Sequence, residues 1–186
     1  MYDIVNTESI ILLERIEKEH DKSFFVFSRE LGLISIYATS VLKVGAKLNS
    51  ILQPYRFIQS DIVVGKSKNR VTTARHSLSF EDILKDKNKK ETFSSATNFL
   101  SKVLPKNISS SEIYDLYKEF ILSILNTKKK EEILYFESIF IYKILIILGY
   151  EGKDISLVKD LNDVDKFENN KEILDRINSI FKEINV

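Results

Sequence analysis

Near residue 80 the hydrophobic pattern of the chain changes period, and this limits the fold more than any other feature. Ahead of that point apolar residues come in short runs or alternate with polar ones, as in β-strands. Beyond it they recur every third or fourth position, as in helices. A chain whose strands all precede its helices builds an α+β architecture rather than alternating βαβ units.

The first region predicts about five short strands. Ser9–Arg15 is rich in Ile and Leu, and Ser23–Arg29 is rich in Phe. In Leu31–Ala38, Ile34, Ile36 and Ala38 face one way and Leu33, Ser35 and Tyr37 the other. Gly32 sits where a tight turn or bulge needs a residue without Cβ. Ile51–Val64 reads as a longer strand interrupted by Pro54, which suits an edge, a bulge or a strand start. The run Gly65-Lys66-Ser67-Lys68-Asn69 is turn chemistry, and Arg70–Leu78 supplies a last strand. A closed or nearly closed barrel suits such a set, because closure protects strand edges.

The second region predicts helices. Ser79-Phe80-Glu81-Asp82 fits a capping box. Lys90–Leu104 carries Phe93, Ala96, Phe99, Leu100, Val103 and Leu104 at helical spacing and ends at Pro105. Ser110 or Ser111 starts a helix with Ile113, Leu116, Tyr117, Phe120, Ile121 and Ile124 on one face. Glu131–Leu148 is apolar nearly all round in its second half, stops at Gly149, and should lie at the centre of the bundle. Asp154–Phe167 is weakly patterned. Asn169 or Asn170 starts a last helix with Ile173, Ile177 and Ile180 buried. The expected domains are residues 1–80 and 81–186.

The 186 residues are 44% hydrophobic, enough for a packed core, and contain no cysteine. Disulfides, thiolate chemistry and cysteine zinc sites are excluded, and a cytoplasmic setting is expected. The start of the chain shows no basic leader. The most apolar stretch, Ile139–Leu148, is interrupted by Lys143 and falls short of the roughly 18 residues of a spanning helix, so no membrane partner is expected.

Net charge is +1, but it is unevenly distributed. Residues 37–80 hold Lys43, Lys47, Arg56, Lys66, Lys68, Arg70 and Arg75 against Asp61 alone, while residues 1–36 and 81–186 are each slightly acidic. Tyr37, Tyr55 and Phe57 lie in or beside this basic stretch. Cations replace counterions along phosphates and aromatic faces stack on bases, so the stretch is a candidate nucleic-acid surface. The same composition fits lysines that merely solvate loops and aromatics that belong to the core.

The order of features resembles the RecO family of bacterial recombination mediators. Ile10–Leu13 is similar to the family's first strand. Phe27-Ser28-Arg29-Glu30-Leu31-Gly32-Leu33-Ile34 resembles the family's junction of two barrel strands. Ala38 begins the segment equivalent to its basic loop, and Leu52-Gln53-Pro54-Tyr55 resembles a leucine-glutamine-proline-aromatic strand start. Glu137, ahead of Leu148-Gly149-Tyr150, resembles the family's helix ending in leucine-glycine-tyrosine. Two departures stand out. The loop after the third strand holds only Lys43 and Lys47, and a four-cysteine zinc module has no counterpart.

The resemblance implies an N-terminal OB-fold barrel, a following helical domain without a zinc module, and a shortened C-terminal region. It also implies binding of single- and double-stranded DNA and annealing of complementary strands in the bacterial cytoplasm, at the nucleoid. The implied partners are RecR, the C-terminal tail of single-strand-binding protein and, indirectly, RecA, with no cofactor. The seven cations above are the candidate phosphate contacts. Lys102, Lys106 and Lys118 are candidates for the acidic tail. An adaptor that only docks proteins is the alternative.

Enzymatic chemistry is not expected. His20 and His76 fall on different predicted elements, no P-loop, GxGxxG or GxSxG run is present, and no zinc-ligand spacing appears. Glu131-Glu132 and the Asp163, Asp165 pair read as solvated or capping groups.

Overall fold

The computed structural model describes residues 3–104, 108–150 and 170–184. They form two compact units. The first takes the described residues up to Glu81 together with Val103–Tyr114, and the second takes the rest.

The first unit is built on five strands: β1 (Asp3–Ile16), β2 (Lys22–Ser28), β3 (Gly32–Ala38), β4 (Arg56–Val64) and β5 (Asn69–Ser79). Their order is β1-β2-β3-β5-β4, and the sheet closes because β1 pairs with both β2 and β4. The first part of β1 lies on β4, from Asp3 opposite Val64 to Ile11 opposite Arg56. Its last part lies on β2, with a register shift between Ile11 and Leu13. Such a shift bends a strand enough to serve two neighbours. All these pairings are antiparallel except β3 with β5, a parallel seam of two residue pairs, Ile36 opposite Asn69 and Tyr37 opposite Arg70.

Alternation explains the core. Phe24 and Val26 of β2, Ile34, Ile36 and Ala38 of β3, Ile58 and Ile62 of β4 and Val71 of β5 fill one cluster with Ile11. Gly32 adopts φ +72°, and a Cβ there would stand 2.2 Å from the Ile108 carbonyl oxygen. Glycine is required at this position on both counts.

Two strand bounds come out more finely than the sequence gives them. Of the three roles open to Pro54 within Ile51–Val64, the structure has a strand start. Lys47–Ile51 forms a short helix, α1, whose Leu48 and Ile51 pack on the barrel core, and β4 begins only at Arg56. Pro54 has no N–H to give a ladder, and Tyr55 follows at φ 62°, so the chain turns before it pairs. That turn is fixed by Tyr55 N–H donating to the Ile11 carbonyl at 2.9 Å and Phe80 N–H donating to the Tyr55 carbonyl at 2.9 Å. The first strand also starts well before Ser9. Asp3–Glu8 mixes Asp, Asn, Thr and Glu with Ile4 and Val5 and is mostly exposed or half-buried, and it is strand because it pairs along β4 from Val64 to Gln59.

Helices follow: a 3-10 turn at Glu81–Lys85, then α2 (Lys87–Val103), α3 (Ser111–Asn126), α4 (Lys130–Ile147) and α5 (Asn170–Ile184). Glu81 N–H donates to Ser79 Oγ at 3.4 Å. The cap of α2 is Asp86, whose Oδ1 accepts from Asn88 N–H at 2.8 Å and Lys89 N–H at 3.1 Å. Ser110 Oγ accepts from Ile113 N–H at 3.3 Å and so starts α3. The predicted face of α3 is buried throughout, from Ile113 to Ile124.

In the second unit Phe120 of α3 stacks on Phe140 of α4 at 4.7 Å between centroids. Lys89 Nζ donates to the Leu125 carbonyl at 2.7 Å, near the end of α3. Gly149, at φ +81°, ends α4. Ile173, Ile177 and Ile180 of α5 are buried as their spacing predicts. Pro105, Lys106 and the weakly patterned Asp154–Phe167 lie outside the described residues.

Candidate nucleic-acid interface

Three adjacent strands and one loop of the barrel make the candidate site. The outward residues of β3 are Leu33, Ser35 and Tyr37, since Ile34, Ile36 and Ala38 point into the core. The β4–β5 loop, Gly65–Lys68, runs alongside them because β5 starts opposite Ile36. Between loop and strand lies a groove of about 570 Å³ whose lining includes Phe25, Ser35, Tyr37, Lys66, Lys68 and Glu30. Lys68 Nζ sits 4.4 Å from the centroid of the Tyr37 ring. A cation over a ring face is held by the ring quadrupole, worth about 0.5–1 kcal/mol at an exposed site. Arg70 stands next to Tyr37 across the seam. Two exposed lysines, one exposed arginine and two half-buried aromatics therefore meet at one place.

The remaining candidate cations lie elsewhere. Lys43 is exposed on the connection from β3 to α1, where Leu42 N–H donates to the His20 carbonyl at 3.1 Å, and Lys47 is exposed at the start of α1. Arg56 is committed within the chain. Its Nε donates to Glu81 Oε1 at 3.1 Å, and its Nη1 donates to the Ser50 carbonyl. Arg75 lies on the outer face of β5 opposite Gln59. It is one of the groups that hold the Asp61 carboxyl below the usual range, after the Asn6 amide and the Thr73 hydroxyl.

That second outer face is a ladder of mutual satisfaction. Asn6 Nδ2 donates to Asp61 Oδ1 at 2.6 Å, Gln59 Nε2 donates to Asn6 Oδ1 at 2.6 Å, and the Thr73 hydroxyl donates to Asp61 Oδ2.

The aromatic candidates separate in the same way. Phe57 is fully buried against Phe80, with centroids 5.1 Å apart, and Tyr55 meets the Phe80 edge at 5.9 Å. Phe57 is set aside as a stacking platform because its ring is packed in the interior of the first unit, whereas Tyr55 is half-buried and lies away from the groove lining. Tyr37 remains. Sequence reasoning missed Phe25 as a site residue. Its signal was the alternation of β2, in which Phe24 and Val26 face inward and Phe25 must face out.

In the second unit Lys102 lies near the end of α2 and Lys118 lies on α3. Burial raises the Glu137 carboxyl above its ordinary value, opposed by hydrogen bonds with Ser95 and Thr92. Among the described residues no group of three or more His, Asp or Glu side chains is placed to hold a metal ion, and no helix is long and apolar enough to cross a membrane.

No family model matches the chain. It is 27% identical over 128 residues to the DNA repair protein RecO of Clostridium perfringens (strain 13 / Type A). The match covers 67% of this chain and 50% of that protein, so the chain spans about half the length of its curated relative. A five-stranded N-terminal sheet, helices after it, and this match together make the chain RecO-like.

Proposed function

We propose that the chain is a RecO-like repair and recombination mediator that works by binding nucleic acid rather than by covalent chemistry. The observation that carries this reading is the groove on the outer side of β3 lined by Lys66, Lys68 and Tyr37, with Lys68 over the Tyr37 ring and Arg70 opposite Tyr37 across the seam. The strand order β1-β2-β3-β5-β4 with closure supports an OB-type barrel, whose ligands bind over the second and third strands and the fourth–fifth loop. Cations there neutralise phosphates, and the ring offers a stacking face. Two backbones that repel each other in solution approach more easily on a basic surface, which gives annealing of complementary strands a physical basis. The resemblance extends the reading to single- and double-stranded DNA, to RecR and the tail of single-strand-binding protein, and to help in loading RecA.

The test is fluorescence anisotropy with a labelled oligonucleotide across a salt series. Three phosphate contacts give a slope of log K against log salt of about −2 for a single strand. The triple variant K66E/K68E/R70E is expected to lose most of the affinity and most of that slope. Unchanged binding overturns the placement of the site. An annealing assay with two complementary oligonucleotides, with and without single-strand-binding protein, tests the mediator role.

A protein-docking adaptor is the second reading. It is favoured by the net charge of +1 and by the engagement of Arg56 with Glu81. Absence of oligonucleotide binding at low salt decides for it.

A further inference from the structure

The cross-strand register continues the groove onto β1. Tyr37 stands opposite Arg70 on one side and opposite Ser23 on the other, and Ser23 stands opposite Arg15. One row, Arg15–Ser23–Tyr37–Arg70, therefore crosses four strands on the outer face. The next row is Leu13–Phe25–Ser35. Directly opposed residues share a face, so these side chains form one surface with the groove.

We infer that Arg15 is the distal phosphate-binding residue of this surface and that the strand it holds is unpaired. The inference rests on the nucleic-acid reading of the groove.

Three observations support it. First, Arg15 and Arg70 end the row, three ladder steps of about 4.8 Å apart, or about 14 Å. That distance takes at most about four nucleotides at the 3.4 Å rise of a stacked strand. Second, the floor between them suits bases rather than phosphates. Leu13 is 62% exposed, Phe25 and Tyr37 are half-buried, and Ser35 is small and exposed. Exposed ring and aliphatic surface of this kind is of use to an unpaired base, whereas a duplex keeps its base faces inside the stack.

Third, the carboxylates near Arg15 are occupied. Glu14 pairs with Lys22 at 2.9 Å, and Glu17 accepts from Ser23 Oγ at 2.6 Å. No ion pair of Arg15 occurs among the described residues. The Glu17 carboxylate beside Ser23 also repels phosphate from the middle of the row, which leaves the backbone to the two cationic ends.

The experiment compares R15E with the wild type on a twelve-nucleotide oligo-dT and on a hairpin duplex, at low salt and across a salt series. Arg15 is exposed, and matching thermal unfolding curves verify that the variant folds. The expected result is about a tenfold loss on the single strand, a salt slope smaller by about 0.7, and a change below about twofold on the duplex. L13S is expected to weaken single-strand binding without altering the slope. If R15E leaves single-strand binding intact while K66E/K68E/R70E removes it, the track stops at β3 and the inference is overturned. Equal losses on single strand and duplex overturn the preference for an unpaired strand. If neither variant has an effect, the nucleic-acid reading of the groove falls with it.

Discussion

Two outer faces of one barrel carry cations, and they differ in what those cations already touch. On the face over β3, Lys68 rests on a tyrosine ring and Lys66 and Arg70 are exposed. On the face over β1, β4 and β5, Asn6, Gln59, Asp61 and Thr73 satisfy one another, with Arg75 close enough to act on Asp61. A polar face that is internally paired offers little to a partner, because each new contact must displace one already made. A face with aromatic surface and unspent charge loses little on binding. Counting cations along the sequence does not separate these cases, whereas the register does.

The sharpest way to break this contrast is by charge reversal. K66E/K68E/R70E is expected to lower oligonucleotide affinity at low salt by about a hundredfold or more, against about threefold or less for R75E, measured by anisotropy. Comparable losses would erase the distinction between the faces. Next come the rings. Tyr37→Ala should weaken single-strand binding by about 1–3 kcal/mol while leaving the urea midpoint nearly unchanged. Phe57→Ala should do the reverse, lowering folding stability by about 3–5 kcal/mol through the cavity it leaves.

The smallest effect concerns Asp61. Its hydrogen bonds with Asn6 and Thr73 lower its folded pKa, so its contribution to stability is present above the ordinary carboxylate value of 3.8 and is lost as pH falls through the lowered one. Urea unfolding between pH 6 and about 2 should therefore show a shallower acid limb for Asp61→Asn than for the wild type. Identical limbs would mean that the ladder contributes nothing to folding.

Much of the architecture was legible from periodicity alone. The strand-to-helix change, the inward set Ile34, Ile36 and Ala38, the Gly149 stop and the buried face of α5 all follow from local pattern. What was not legible depends on distant partners. The start of β1 pairs with β4 residues more than fifty positions away, so no local signal marks it as strand. Pro54 signalled a strand start inside the run Ile51–Val64, but no local pattern marked Lys47–Ile51 as a helix.

At the site, the sequence singled out Lys66, Lys68, Arg70 and Tyr37, which the fold brings together. It grouped them with Arg56, whose guanidinium lies on Glu81, and with Phe57, which is core. Arg15 went unnoticed because it belongs to an acidic stretch of sequence, and only cross-strand register moves it to the basic side.

The parallel seam between β3 and β5 has a consequence for how occupancy could be detected. It joins the barrel through two residue pairs, and Tyr37 and Arg70 are one of them. A ligand gripping both residues acts as a staple across the least-buttoned join of the cylinder. By mass action it raises the work of prying that join apart. Amide deuterium uptake at Asn69 and Arg70 should therefore slow when an oligonucleotide is bound, which makes the join a built-in gauge of occupancy.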